Sequence, residues 1–196
     1  MKDMEGADVC VDIHASNIFL WEIPQVRLSE NTAQDLVPLA RHLNMNLIWI
    51  YASATVLEST LAYSLNAAGT PTLVVEMGVG MRITRAYTQQ LFHGILSLMS
   101  YMGIWKGSVS PTASPIISTD GHVSFINASS PGIFLPSADH ASQVEAGQEL
   151  GMIVDPLTGN IRERLTCPVS GLLFTLREYP VVSGGSLVAR ILGGSL

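Results

Sequence analysis

Two acidic residues, one histidine and one arginine in this chain occupy positions where their types could do chemistry. Asp12-Ile13-His14 closes the apolar run Val9-Cys10-Val11. Side chains two apart on a strand share a face, so the carboxylate and the imidazole emerge together. The C-terminal end of a strand is also where open α/β sheets bind ligands. A neutral imidazole there can ligate Zn²⁺ while Asp12 orients the ring. A hydrogen-bonded structural histidine is the other reading of the same spacing. Glu76 interrupts Leu73-Val74-Val75 and Met77 at the exit of a second run, just before Gly78 and Gly80. An ionised carboxylate at the end of an interior strand is costly unless it is paired or stands beside a cation. It reads either as a general base acting on a metal-bound water, or as one half of a structural ion pair with Arg82 or Arg85. Arg27 follows Trp21-Glu22-Ile23-Pro24-Gln25-Val26 in what reads as a loop. Its planar fork suits a substrate carboxylate, and Glu22 and Glu30 are the alternative partners.

The elements that must position these groups follow from periodicity. Over residues 8–105, short apolar runs alternate with helical stretches, which predicts an α/β layer with a mainly parallel sheet. Strands are expected at residues 9–13, 45–51 and 71–78. Helices are expected over 31–43, capped by Ser29 or Asn31, over 55–68 with Val56, Leu57, Leu61 and Leu65 on one stripe, and over 84–103 with Leu91, Ile95, Leu98 and Met102 inward. Gly69 is placed to end the middle helix. Beyond Trp105 helical periodicity vanishes. Strand candidates at 123–127, 132–135, 150–154, 160–165, 171–176 and 186–191, separated by Gly, Pro and Ser, predict a small barrel or sandwich. Val144-Glu145-Ala146-Gly147-Gln148 and Val182-Ser183-Gly184-Gly185-Ser186 are two similar turn phrases, each leading into a strand. The predicted organisation is an α/β part over residues 1–107 and a β module over 108–196.

Composition narrows the function. Of 196 residues, 47% are hydrophobic and 13% charged, against roughly 25% charged in an ordinary soluble domain, so disorder is excluded. The formal charge of −6 is spread over both parts, leaving no basic face for nucleic acid or an anionic membrane. No apolar stretch matches a membrane span of about 20 residues. Two cysteines and no targeting signal predict a cytoplasmic protein. Gly78-Val79-Gly80 lacks the third glycine of a dinucleotide fingerprint and the lysine of a P-loop, and no G-x-S-x-G elbow occurs.

The order of phrases carries a resemblance. Val11-Asp12-Ile13-His14-Ala15-Ser16, Pro24-Gln25-Val26-Arg27, Gly69-Thr70-Pro71-Thr72-Leu73-Val74-Val75-Glu76-Met77-Gly78 and then a β module resemble the succinylglutamate desuccinylase/aspartoacylase family of zinc-dependent deacylases. The match runs over nearly the whole chain. It implies a carboxypeptidase-like, mainly parallel sheet followed by a β domain similar to biotinyl/lipoyl carrier barrels. It also implies that His14 is the last zinc ligand and Glu76 the catalytic acid/base, with an N-acylated amino acid as the small-molecule substrate. No lysine occupies a carrier tip, so biotin or lipoate attachment is not expected.

One departure matters. The family's H-x-x-E motif and N-R pair do not precede His14, and none of the five histidines has a glutamate three residues later. The expectation is therefore the C-terminal part of a longer zinc enzyme, with Arg27 touching substrate and Asp12 orienting His14. A non-catalytic binding or assembly module is the alternative. A sheet without its neighbouring strands is also expected to self-associate as a homo-oligomer.

Overall fold

Apolar runs and helical stretches become strands and helices in the predicted order in the computed structural model, which describes residues 2–52 and 59–193. The chain divides into two compact units. The first comprises Met1–Ala15, Pro24–Met77 and Ile83–Asp120, and the second Ser16–Ile23, Gly78–Arg82 and Gly121–Leu196. The architecture is mixed α/β, with a large mixed sheet and a second, antiparallel sheet.

In the first unit the strands lie in the order β1 (Cys10–His14), β4 (Thr72–Gly78), β2 (Leu20–Ser29), β3 (Leu47–Tyr51) and β5 (Ile116–Thr119). The pairings β1–β4, β2–β3 and β3–β5 are parallel, as the alternation of strands and helices predicts. One face of this sheet is apolar. Val26, Leu28, Ile48, Leu73 and Val75 pack there against Leu36 and Ala40 of α1 (Glu30–Ala40) and Leu91 and Leu98 of α3 (Arg85–Tyr101). Ile95 and Met102 pack against the same cluster, so the predicted inward stripe of α3 holds. The Ser29 hydroxyl accepts from Asn31 N–H at 3.3 Å and caps α1, satisfying a donor the helix itself leaves open.

α2 (Leu61–Ala67) occupies part of the predicted 55–68 segment, while Val56 and Leu57 lie outside the described residues. Gly69 ends it as expected. At φ +84° its N–H donates to Asn66 O, and Thr70 N–H donates to Leu65 O, the paired bonds of a Schellman stop. Gly94 has a different reason to be glycine. A Cβ there would stand 1.9 Å from Leu43 O, so α3 can cross the turn Arg41–Leu43 only without a side chain.

The second unit is built from two matching halves. One sheet runs β10 (Ile161–Thr166), β9 (Glu149–Val154), β7 (Gly132–Pro136), β12 (Val181–Val182). The other runs β6 (Val123–Asn127), β13 (Leu187–Gly193), β11 (Gly171–Arg177), with β8 (Gln143–Val144) and residues 20–22 of β2 along the far edge of β11. β8 and β12 thus play equivalent parts, each pairing with the sheet opposite the strand that follows it. The two turn phrases share their geometry. Gly147 and Gly185 have φ +84° and +85°. Gln148 Oε1 accepts from Glu145 N–H, and Ser186 Oγ from Ser183 N–H, both at 3.0 Å. A type II turn demands the positive φ, which only glycine adopts freely.

β2 corrects the sequence reading of residues 21–27 as a loop. Pro24 carries no backbone donor and argues against a strand. It is tolerated because β2 changes partner around it: residues 20–22 pair with β11 and residues 25–29 with β3. β5 also goes beyond the sequence-level elements, since Ile116-Ile117-Ser118-Thr119 is too short for its pattern to identify it.

Candidate active site

Asp12 and His14 share the face of β1 opposite Val11, which packs against the core. His14 Nε2 stands 3.1 Å from Asp12 Oδ1. His14 remains half-exposed.

β4 supplies Glu76 as the direct register partner of His14. Because the pairing is parallel and in register, the two side chains leave the sheet on one face, neighbours at roughly the 4.8 Å strand spacing. Val75, one residue earlier, is fully buried on the other face. Among the described residues Glu76 does not pair with Arg82, which bonds Glu178 instead, or with Arg85. Its cation is Arg27, with Nη1 3.7 Å from Oε1, too long for a hydrogen bond but within ion-pair range. Glu22 bonds Arg190. Glu76 Oε2 is buried and has no hydrogen-bond partner among the described residues. A buried acceptor without a donor costs free energy comparable to a lost hydrogen bond, so this oxygen is poised to take one from a bound molecule.

Two aromatic residues of β3 complete the face. Trp49 is the register partner of Arg27, and the guanidinium carbon sits 5.2 Å from its ring centroid, at cation–π range. Trp49 Nε1–H donates to Asp120 Oδ1 at 2.7 Å, and Ala52 N–H donates to Asp120 Oδ2 at 2.9 Å. Tyr51 lies two residues on. Burial raises its phenol above the ordinary value, and the positive charge of Arg27 opposes that rise. Sequence reasoning did not single out Trp49, Tyr51 or Asp120. The available signal was period-two alternation in Ile48-Trp49-Ile50-Tyr51, which sets the aromatics opposite the core isoleucines, but only the β2–β3 pairing aims them at Arg27.

The metal expectation meets a clear donor test. A catalytic zinc takes three protein ligands. Among the described residues no group of three His, Cys, Asp or Glu side chains stands where it could hold a metal ion. His14 is present, but the described residues do not compose a zinc centre around it.

Neither a protein-family model nor a curated protein matches the sequence. Solved structures do match the fold. The product-bound ectoine utilization protein EutE (DoeB) from Ruegeria pomeroyi aligns with a TM-score of 0.80 over 96% of this chain and 59% of its own, at 17% identity. A succinylglutamate desuccinylase/aspartoacylase from Rhodobacter sphaeroides aligns with a TM-score of 0.79 over 97% of this chain and 59% of its own, also at 17% identity. A succinylglutamate desuccinylase from Silicibacter sp. TM1040 reaches 0.81 over 94% and 57%, at 18% identity. The chain thus has the fold found in succinylglutamate desuccinylase/aspartoacylase proteins, and it spans less than two thirds of the length of the first structures it matches.

Proposed function

We propose that this chain carries the acid/base and carboxylate-gripping residues of a hydrolase that cleaves the amide bond of an N-acyl amino acid. The observation that carries this reading is Glu76: a buried, unpartnered carboxylate oxygen beside the Arg27 cation, in register with His14 at a strand end. The fold shared with desuccinylase/aspartoacylase structures supports it. In the reaction, Glu76 Oε2 takes a proton from water as the water oxygen bonds to the acyl carbon. It returns that proton to the amide nitrogen as the C–N bond breaks, giving a carboxylic acid and an amine. Arg27 holds the substrate carboxylate through its fork. His14 is one zinc ligand in this reading, and a zinc centre would take its others from outside the described residues. The free thiols of Cys10 and Cys167 suit a cytoplasmic setting.

The test is hydrolysis of a panel of N-acyl amino acids, with and without added Zn²⁺, by the wild-type chain and Glu76→Gln. Glu76→Gln is expected to lower turnover by about 10²- to 10⁴-fold. Hydrolysis that survives this substitution overturns the assignment.

The absence of a three-ligand group among the described residues favours a second reading, a non-catalytic binding module on the same fold. It predicts saturable, Arg27-dependent binding of an N-acyl amino acid with no turnover in either metal condition. Failure of both hydrolysis and binding overturns both readings.

A further inference from the structure

We propose that Asp120 is a positioning residue that acts through the Trp49 indole to set where the Arg27 guanidinium stands beside Glu76. This rests on the reading of Arg27 as the group that grips a small carboxylate.

The geometry is a chain of three contacts. The Asp120 Oδ1 to Trp49 Nε1 bond is short, at 2.7 Å, as charge-assisted bonds are. Trp49 is only 6% exposed, and its ring face meets the Arg27 guanidinium. Arg27 Nη1 then reaches towards Glu76 Oε1 at 3.7 Å. A hydrogen bond at the N–H end of an indole removes its freedom to rotate about the ring axis, so the face offered to Arg27 is set. A carboxylate accepting from the indole N–H also pushes electron density into the ring, strengthening its attraction for a cation. A guanidinium held over a ring loses little further freedom when its fork meets a planar carboxylate, which suits bidentate recognition. The ligand class is a small carboxylate such as the α-carboxylate of an acylated amino acid.

Asp120 also accepts from Ala52 N–H just past β3, which by itself would be a purely structural role. The experiment must separate the two. Succinate binding to the full chain is measured by NMR titration in wild type, Arg27→Ala, Trp49→Phe, Asp120→Ala and the Trp49→Phe/Asp120→Ala double variant. The Trp49 indole N–H resonance is followed in the variants that retain it. Arg27→Ala is expected to abolish saturable binding. Trp49→Phe and Asp120→Ala are each expected to weaken it about tenfold, and the double variant no more than either alone, because both break one link. Asp120→Asn, which keeps an acceptor without the charge, is expected to fall between wild type and Asp120→Ala. It also serves as the milder variant should Asp120→Ala not fold. The indole resonance is expected to move in Arg27→Ala and in both Asp120 variants.

Binding lost in Arg27→Ala but unchanged in Asp120→Ala and Trp49→Phe overturns the positioning role and leaves the carboxylate reading standing. Additive losses overturn it too, because they assign the two residues independent roles. Wild-type affinity in Arg27→Ala, or no saturable binding by wild type, overturns the carboxylate reading instead. The positioning role then stands or falls on whether the indole resonance moves in Arg27→Ala.

Discussion

Strand β2 carries one member of each of two carboxylate–guanidinium pairs, one in each compact unit, and the pairs differ. In the second unit Glu22 Oε1 accepts from Arg190 Nη1 at 3.0 Å, with the Glu22 side chain only 3% exposed and Thr175 Oγ1 beside the same nitrogen. In the first unit Arg27 and Glu76 stand 3.7 Å apart, more exposed, and one Glu76 oxygen has no donor among the described residues. A buried carboxylate that is hydrogen-bonded to a guanidinium compensates much of its own desolvation and has little left to offer a ligand. A carboxylate with an open acceptor oxygen retains unspent interaction energy, which a substrate or a water can take up. The same residue types, a few positions apart on one strand, thus differ in how completely the carboxylate oxygens are satisfied.

Matched substitutions put this contrast at risk. Glu22→Gln leaves Arg190 charged and buried beside a neutral amide, and is expected to lower unfolding free energy by about 3 kcal/mol. Glu76→Gln is expected to change it by less than about 1 kcal/mol while removing activity or altering ligand binding. Urea unfolding of both variants checks this, and equal losses would make Glu76 a framework residue like Glu22. Gly94→Ala comes next. It forces a Cβ towards Leu43 O behind the core face of the first unit, and about 1–3 kcal/mol of destabilisation is expected from overpacking, with Arg27 and Glu76 untouched. Retained succinate affinity in this variant at a lower melting temperature would show that the site face tolerates strain in the core behind it.

The smallest effect concerns His140, which stacks on Trp21 next to Glu22 and whose Nε2 lies 3.3 Å from Phe174 O. Burial holds its imidazole below the ordinary value, partly opposed by the Phe174 carbonyl and the charges of Glu22 and Glu178. Because the folded value is depressed, the unfolded chain takes up the proton first. The His140 contribution to stability is complete above the unfolded value of about 6.5 and is lost as pH falls from there through the folded value. His140→Gln is expected to flatten the pH dependence of stability in that window. A slope identical to wild type would remove His140 from the framework around Glu22.

Much of the fold was legible. Turn phrases with glycine at the positive-φ position marked both halves of the second unit, since a type II turn leaves few residues able to serve. The inward stripe of α3 and the Gly69 stop were equally plain, because helix periodicity and capping act over a few residues. Asp12, His14 and Glu76 were legible as polar groups ending apolar runs. β2 was not, because Pro24 hides a strand whose proline falls where its partner changes. Nor was the pairing of Glu76: Arg82 and Arg85 are near in sequence, but Arg27 is near in space. Asp120 was the least accessible, lying 71 residues from the indole it bonds.

From its residues alone, this chain determined most of the segments that are strands and helices, where most of them stop, and which few polar side chains stand at strand ends. Tertiary structure decided which of those side chains meet. Register between β1 and β4, and between β2 and β3, is set by long-range hydrogen bonding and core packing rather than by local pattern. A shift of one residue in either pairing would move Glu76 or Arg27 to a different partner.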